Sequence, residues 1–430
     1  MPTVFLALSI VGLVFTVNAL RPFPWTFASL PSFFGGWLTS ELAPHLLVIT
    51  GVVSGVLIGA GGLQGTRGWI ALGLTVATVA GLGALIVEAE QARDVTEGAL
   101  VEALGPDYVQ AIPPQRSSSY DLRVPWRQLV VPFIQRHPDV ERVRNIRYSD
   151  EAKRLRLDVY RHRSHPTDCP VLIQIHGSGW SVSNKDQQGK PIMLHMASRG
   201  WVCVAPNYRL SPRATWPDHL VDVKAVVAWV KEHATEFGGD PNFIVATGGS
   251  AGGHLSAMLA VTPNDPRYQP GFEDADTRIQ AAVPIYGLYD FTDGSTAMSR
   301  QVGRFFAVAV AKVRPSRSAD VLRDASPITH VSPDDPPFFV IHGQHDSLAP
   351  VVQARAFVKR LREVSNDPVA YAELPGAQHA FDVFPSIRSA HVVRAVERFA
   401  DWVHARYVER RDGAAAEGRT QTEMPSATNA

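Results

Sequence analysis

Cysteine is nearly absent: the chain has two, Cys169 and Cys203, both in apolar runs and neither in a Cys-x-x-Cys pair. A disulfide framework or a zinc centre needs more ligands than this, so both are read as buried thiols on core strands and leave the compartment undecided. Net charge is lacking too. Lysine plus arginine and aspartate plus glutamate stand at 41 each, which excludes the electropositive footprint of a nucleic-acid binder and the polybasic excess that holds a soluble protein on anionic lipid. No internal repeat is present. The most informative lack is local: residues 1–87 carry only three formally charged side chains, Arg21, Glu41 and Arg67.

Three uncharged apolar stretches fill that region, 4–20, 46–63 and 69–87. Each has about the length a helix needs to cross a ~30 Å hydrocarbon core. The first lacks a positive n-region and a small-residue cleavage site, so it reads as a retained helix and not a secretory signal. The second carries Gly51-x-x-x-Gly55-x-x-x-Gly59 and the third Gly73, Ala77 and Gly81, small residues at the spacing that lets membrane helices approach closely. Phe23, Trp25, Phe27, Phe33, Phe34 and Trp37 between the first two stretches suit the headgroup level. Arg21, Arg67 and Arg93 give each flank a similar positive charge, which leaves the orientation open. The expectation is a multi-pass protein of the cell membrane.

From residue 88 the composition changes. Residues 88–141 read as a polar helix, a Pro-Ser-rich linker at 113–119 and an apolar segment, 126–134, placed to cap a site and face the bilayer. Over 142–410, strand-like segments at 143–148, 154–160, 170–175, 201–207, 243–247, 279–286, 338–342 and 369–374 alternate with helical patterns at 217–233, 251–261, 351–364 and 388–406. That alternation predicts an α/β fold with a mostly parallel central sheet and helices on both faces. The tail, 411–430, has the composition of a disordered segment.

The chemistry is concentrated at strand ends. An apolar strand runs into Gly248-x-Ser250-x-Gly252, and a helical pattern follows at once. A serine hydroxyl is a weak nucleophile unless held where a base reaches it. A strand-to-helix corner does this, with flanking glycines admitting the tight backbone. The base requires an orienting acid. One strand ends in His342-Gly343-Gln344-His345-Asp346 and another in Gly376-Ala377-Gln378-His379-Ala380-Phe381. Ser250, Asp346 and His379 are thus the candidate nucleophile, acid and base, at the carboxyl ends of strands where open α/β sheets bind ligands. The loop His176-Gly177-Ser178-Gly179-Trp180 follows another buried strand. Gly177, Ser178 and Gly179 there, with Ala251 after the nucleophile, are the candidate oxyanion donors.

These motifs, with Asn207-Tyr208-Arg209-Leu210-Ser211-Pro212 and the helical segment from Asp222 to Trp229, resemble the hormone-sensitive-lipase-like bacterial carboxylesterases of the α/β-hydrolase fold over about 142–406. The resemblance implies hydrolysis of carboxylic esters without metal or organic cofactor, with Ser178 and Gly179 supplying oxyanion N–H groups. One position departs from the family's usual His-Gly-Gly-Gly: the middle glycine is Ser178. A small-molecule or lipid ester and the membrane are the expected partners. Trp180 and Phe381 are taken as substrate-binding residues, with simple packing as the alternative.

His176 and His254 read as bracing and packing residues, and Asp222 and Asp290 as structural carboxylates. A peptidase, thioesterase or acyltransferase would use the same triad. A catalytically inert hydrolase-like binding module is the reading from a different class, and an intact Ser250, Asp346 and His379 weighs against it.

Overall fold

The computed structural model describes residues 1–22 and 29–422. Phe23, Trp25, Phe27 and the last residues of the tail, 423–430, lie outside the described residues. Four helices open the chain: α1 (Pro2–Leu20), α2 (Ser29–Glu41), α3 (Ala43–Gly59) and α4 (Gly65–Leu104). Two of them, α1 and α4, are long and apolar enough to cross a membrane. The third expected stretch is the shorter α3, which passes that test only together with α2, across a bend of 85°. Pro44 at the start of α3 explains the break, because a proline suits a first helical turn and cannot continue the preceding helix.

The expected small-residue stripes are only partly used. A Cβ on Gly81 would lie 2.5 Å from Thr16 Cγ2, so this glycine does admit α1. Positions Gly51, Gly55, Gly59 and Gly73 have open space around them, and Ala77 is exposed. Hydroxyls contribute to the α1–α4 contact, where Ser9 and Thr75 pair at 2.9 Å.

The eight strands match the expected set closely: β1 (Val140–Arg147), β2 (Arg156–His162), β3 (Cys169–Ile175), β4 (Val202–Pro206), β5 (Gly239–Gly249), β6 (Ala281–Ile285), β7 (Phe338–Gly343) and β8 (Val369–Leu374). They form one sheet in the order β1-β2-β4-β3-β5-β6-β7-β8. β2 runs antiparallel to β1 and β4, and every other pairing is parallel. Strand β3 is buried along its whole length, as a central parallel strand covered on both faces must be.

Alternate residues of the strands feed two cores. Ile173, Val204 and Ile244 face one core, and Leu172, Cys203 and Val245 the other. Short helices α5 (Pro114–Ser117) and α6 (Trp126–Val130) precede β1, α7 (Lys190–Ser198), α8 (Asp218–His233), α9 (Ala251–Val261), α10 (Ala297–Phe305), α11 (Ala319–Asp324) and α12 (Val351–Val364) lie between strands, and α13 (Ile387–Thr422) follows β8. α8, α9 and α12 cover the first face through Val223, Leu255 and Phe357. α7 and α13 cover the second through Met196, Val396 and Phe399.

Two expected boundaries change. The division at 87/88 falls inside α4, a continuous helix of 40 residues. At about 1.5 Å per residue that is twice the thickness of a hydrocarbon core. Its second half joins the sheet-bearing unit: Ala92 and Leu100 enter the second core, while Glu90 and Glu97 pair with His391 and Arg398 of α13 at 2.9 and 3.0 Å. At the other end, α13 continues to Thr422, past the expected start of a disordered tail.

Candidate active site

Strand β5 ends at Gly249, and Ser250 takes φ +59° and ψ −120° before α9 begins at Ala251. A non-glycine residue in that region stores about 1–3 kcal/mol of strain, here held by the surroundings. The Ser250 N–H donates to Ile285 O at 3.0 Å, and Ser250 O accepts from the His254 N–H at 2.9 Å. Close approach explains the flanking glycines. A Cβ on Gly248 would lie 2.4 Å from Ile175 O, and one on Gly252 2.0 Å from the same oxygen.

Asp346 follows β7 and is buried. Its Oδ1 accepts the N–H groups of Leu348 and Ala349 at 2.9 and 2.7 Å, and its Oδ2 accepts the His379 Nδ1–H at 2.7 Å. Burial alone would raise this carboxyl. The charge and hydrogen bond of His379, the neighbouring His342 and the Ala349 N–H outweigh it and hold Asp346 below the ordinary carboxylate range. The acid is therefore ionised at neutral pH. Since Nδ1 of His379 is committed to Asp346, Nε2 is the nitrogen left for a proton transfer. Gln378 Oε1 fixes the histidine loop by accepting from the Ser347 and His379 N–H groups at 2.8 and 2.9 Å. The imidazole sits between Tyr286 and Phe33, with ring centroids 4.6 and 6.0 Å away. Ser250, Asp346 and His379, from three separate strand ends, line one cavity of about 800 Å³.

The loop after β3 turns sharply, with φ of +75°, +61° and +56° at Ser178, Gly179 and Trp180. The amides of Ser178, Gly179 and Ala251 have no hydrogen-bond partner among the described residues. Gly177 is different, and its expected place among the oxyanion donors is corrected: its N–H donates to Gln188 Oε1 at 2.6 Å. Gly177 serves by its lack of a side chain, since a Cβ would lie 2.4 Å from Gly249 O and 3.0 Å from Ser250 Cβ. Gln188 Nε2 also donates to Ser178 Oγ at 3.1 Å. One glutamine thus holds both Gly177 and Ser178, and the serine that replaces the usual glycine has a fixed partner.

Of the two substrate-binding candidates, Trp180 lines the cavity. It also packs edge-on against His254 and Phe306 at 5.2 and 5.1 Å. Phe381 does not line it. It is fully buried in the second core, behind Tyr286 at 5.2 Å. The segment 126–134 is also absent from the lining, and Trp126, Val130, Phe133 and Ile134 are instead exposed.

The other polar candidates are braces. Asp222 accepts from the backbone and side chain of Arg209. Asp290 Oδ1 accepts from the Thr292 N–H and hydroxyl. His176 stacks on Tyr208 at 4.4 Å, and the Tyr208 hydroxyl donates to His176 O at 2.9 Å. His254 Nε2 lies 2.8 Å from Ala325 O. Burial pushes both imidazoles down to about 3. In the unfolded chain they titrate near 6.5, so between about 6.5 and 3 the unfolded state takes up protons that the folded state refuses. Their neutral burial thus costs nothing above about 6.5 and destabilises progressively as pH falls toward 3. The thermal unfolding midpoint is expected to drop between about pH 7 and 4, and less steeply in His254→Gln. Parallel profiles for the two proteins would contradict this.

Gln188, Tyr286 and Phe33 are not legible in the sequence as site residues. Gln188 shares its loop with an adjacent glutamine, and Tyr286 and Phe33 belong to apolar runs without a motif.

The BD-FAE family matches residues 157–361. The chain is 45% identical over 405 residues, 91% of each protein, to the probable carboxylic ester hydrolase LipM of Mycobacterium tuberculosis. It is 40% identical over 333 residues to esterase LipQ of the same organism, covering 76% of this chain and 79% of LipQ. Among solved structures, a truncated carbohydrate esterase from gut microbiota is similar with a TM-score of 0.51 and 25% identity, over 60% of this chain and 96% of that one.

Proposed function

The chain belongs to the carboxylic ester hydrolases of the α/β-hydrolase fold, and as a serine hydrolase, we propose, it works through Ser250, His379 and Asp346 while anchored in a membrane. The observation that carries the site is the buried Asp346–His379 pair at 2.7 Å on the cavity that Ser250 also lines.

In the first step His379 Nε2 takes the Ser250 proton as Oγ bonds to the ester carbonyl carbon. The oxyanion is held by the N–H groups of Ser178, Gly179 and Ala251. Collapse breaks the carbon–oxygen bond to the alcohol, which leaves with the proton from His379. Water, deprotonated by the same imidazole, then attacks the acyl-enzyme, and the acid departs as Ser250 regains its proton. Asp346 keeps the productive tautomer and stabilises the imidazolium. The catalytic unit is read as 142–410, with α1 and α4 as the membrane anchors because of their length and apolar character.

Labelling of full-length protein with a fluorophosphonate tests this directly, because only an activated serine reacts. The label is expected on the peptide containing Ser250, in a band that stays with membranes through an alkaline carbonate wash. Modification at another serine, or none, would sink the assignment. Release by the wash would sink the anchoring.

A further inference from the structure

The catalytic cavity is not enclosed by the hydrolase unit alone. Arg21, Pro22, Leu30 and Phe33 of the N-terminal region form part of its wall. Helix α2 lies against the histidine loop. Phe33 is buried with its ring near His379 and stacks on Trp37 at 5.6 Å, and Trp37 meets Phe384 at 5.4 Å. The end of α2 is pinned by Glu41, which pairs with the buried Arg388 and accepts from the Ser386 hydroxyl at 2.6 Å. The cavity therefore has a wall from α2 and another from α10, where Val302 and Phe305 contribute.

Two of these lining residues are greasy and open. Leu30 is 58% exposed and Phe305 45%. Large apolar side chains left uncovered at the rim of a largely apolar cavity mark a surface that takes an apolar ligand or a membrane. α2 is also the half of a bent pair that reaches membrane-span hydropathy only jointly with α3, so the rim belongs to the most apolar part of the chain.

We propose that α2 is a built-in wall of the acyl cavity, and that the substrate is a long-chain ester dissolved in the bilayer whose hydrocarbon lies between Leu30–Phe33 and Val302–Phe305. The inference rests on the catalytic reading of Ser250, Asp346 and His379. A short acyl group would leave the Leu30 and Phe33 surface uncovered. The acyl chain passes from one apolar phase to another, so the wall selects it by van der Waals packing along Leu30 and Phe33 and not by transfer out of water.

The test uses full-length protein in phosphatidylcholine vesicles with p-nitrophenyl butyrate and p-nitrophenyl palmitate. Phe33→Ala and Leu30→Ala are each expected to lower the palmitate-to-butyrate ratio of kcat/KM severalfold, because the lost packing contacts fall on the long chain alone. An unchanged or increased ratio overturns the proposal, and an equal loss on both esters would mean that α2 only props His379. Leu30 is more than half exposed, so its variant carries the test if Phe33→Ala does not fold. Ser250→Ala separates the two readings: turnover retained on both esters would remove the catalytic assignment itself, whatever the ratio does in the α2 variants.

Discussion

Asp346→Asn is expected to lower kcat on a soluble short-chain chromogenic ester by on the order of 10⁴-fold while leaving the fold intact. The reason lies in the division of labour between the two carboxylate oxygens. Oδ1 accepts the N–H groups of Leu348 and Ala349, and an asparagine oxygen can keep both. The amide nitrogen then faces His379 Nδ1 in place of Oδ2. A donor there forces the imidazole to carry its proton on Nε2, where it cannot accept one from Ser250. Ser250→Ala should cost at least as much, because it removes the attacking atom. Measured kcat within tenfold of the parent protein for Asp346→Asn, with an unchanged unfolding midpoint, would mean that this carboxylate does not orient the base.

Glu41→Ala should cost about 3–5 kcal/mol of stability, the usual effect of removing one partner from a buried ion pair. Arg388 is fully buried, and among the described residues its guanidinium otherwise reaches only Pro375 O at 3.2 Å. Without Glu41 that positive charge stays out of water with one carbonyl for company. The Ser386 hydroxyl loses its acceptor as well. Arg388→Met in the same chain removes the stranded charge, so the double variant should recover much of the loss. The readout is the thermal unfolding midpoint of the detergent-solubilised protein. A single variant as stable as the parent, or a double variant no better than the single, would argue against the pair as the clamp between α2 and α13.

The parts legible in the sequence have a common cause. Strands β3, β5, β7 and β8 are buried runs bounded by turn residues, so their positions follow from local composition. Ser250 sits on a corner whose glycines are demanded by contacts within a few ångströms, and that demand is written in the chain as Gly248-x-Ser250-x-Gly252. Phe381 departs from its expected role because nearness to His379 in sequence is not nearness to the cavity: two residues on, the chain has turned its side chain into the core. Gly177 departs for a similar reason, since the commitment of its N–H to Gln188 depends on a residue 11 positions away.

By itself, the order of residues determined the α/β sheet, the sharp corner at Ser250 and the strand ends that carry Asp346, His379 and the 176–180 loop, because each depends on short-range backbone geometry and hydrophobic period. Only the folded chain decided that α2 walls the cavity, that Glu41 reaches Arg388 across nearly the whole sequence, and that α4 runs unbroken into the sheet-bearing unit. Those contacts join segments hundreds of residues apart, and their energies come from burial and charge pairing that no local pattern encodes.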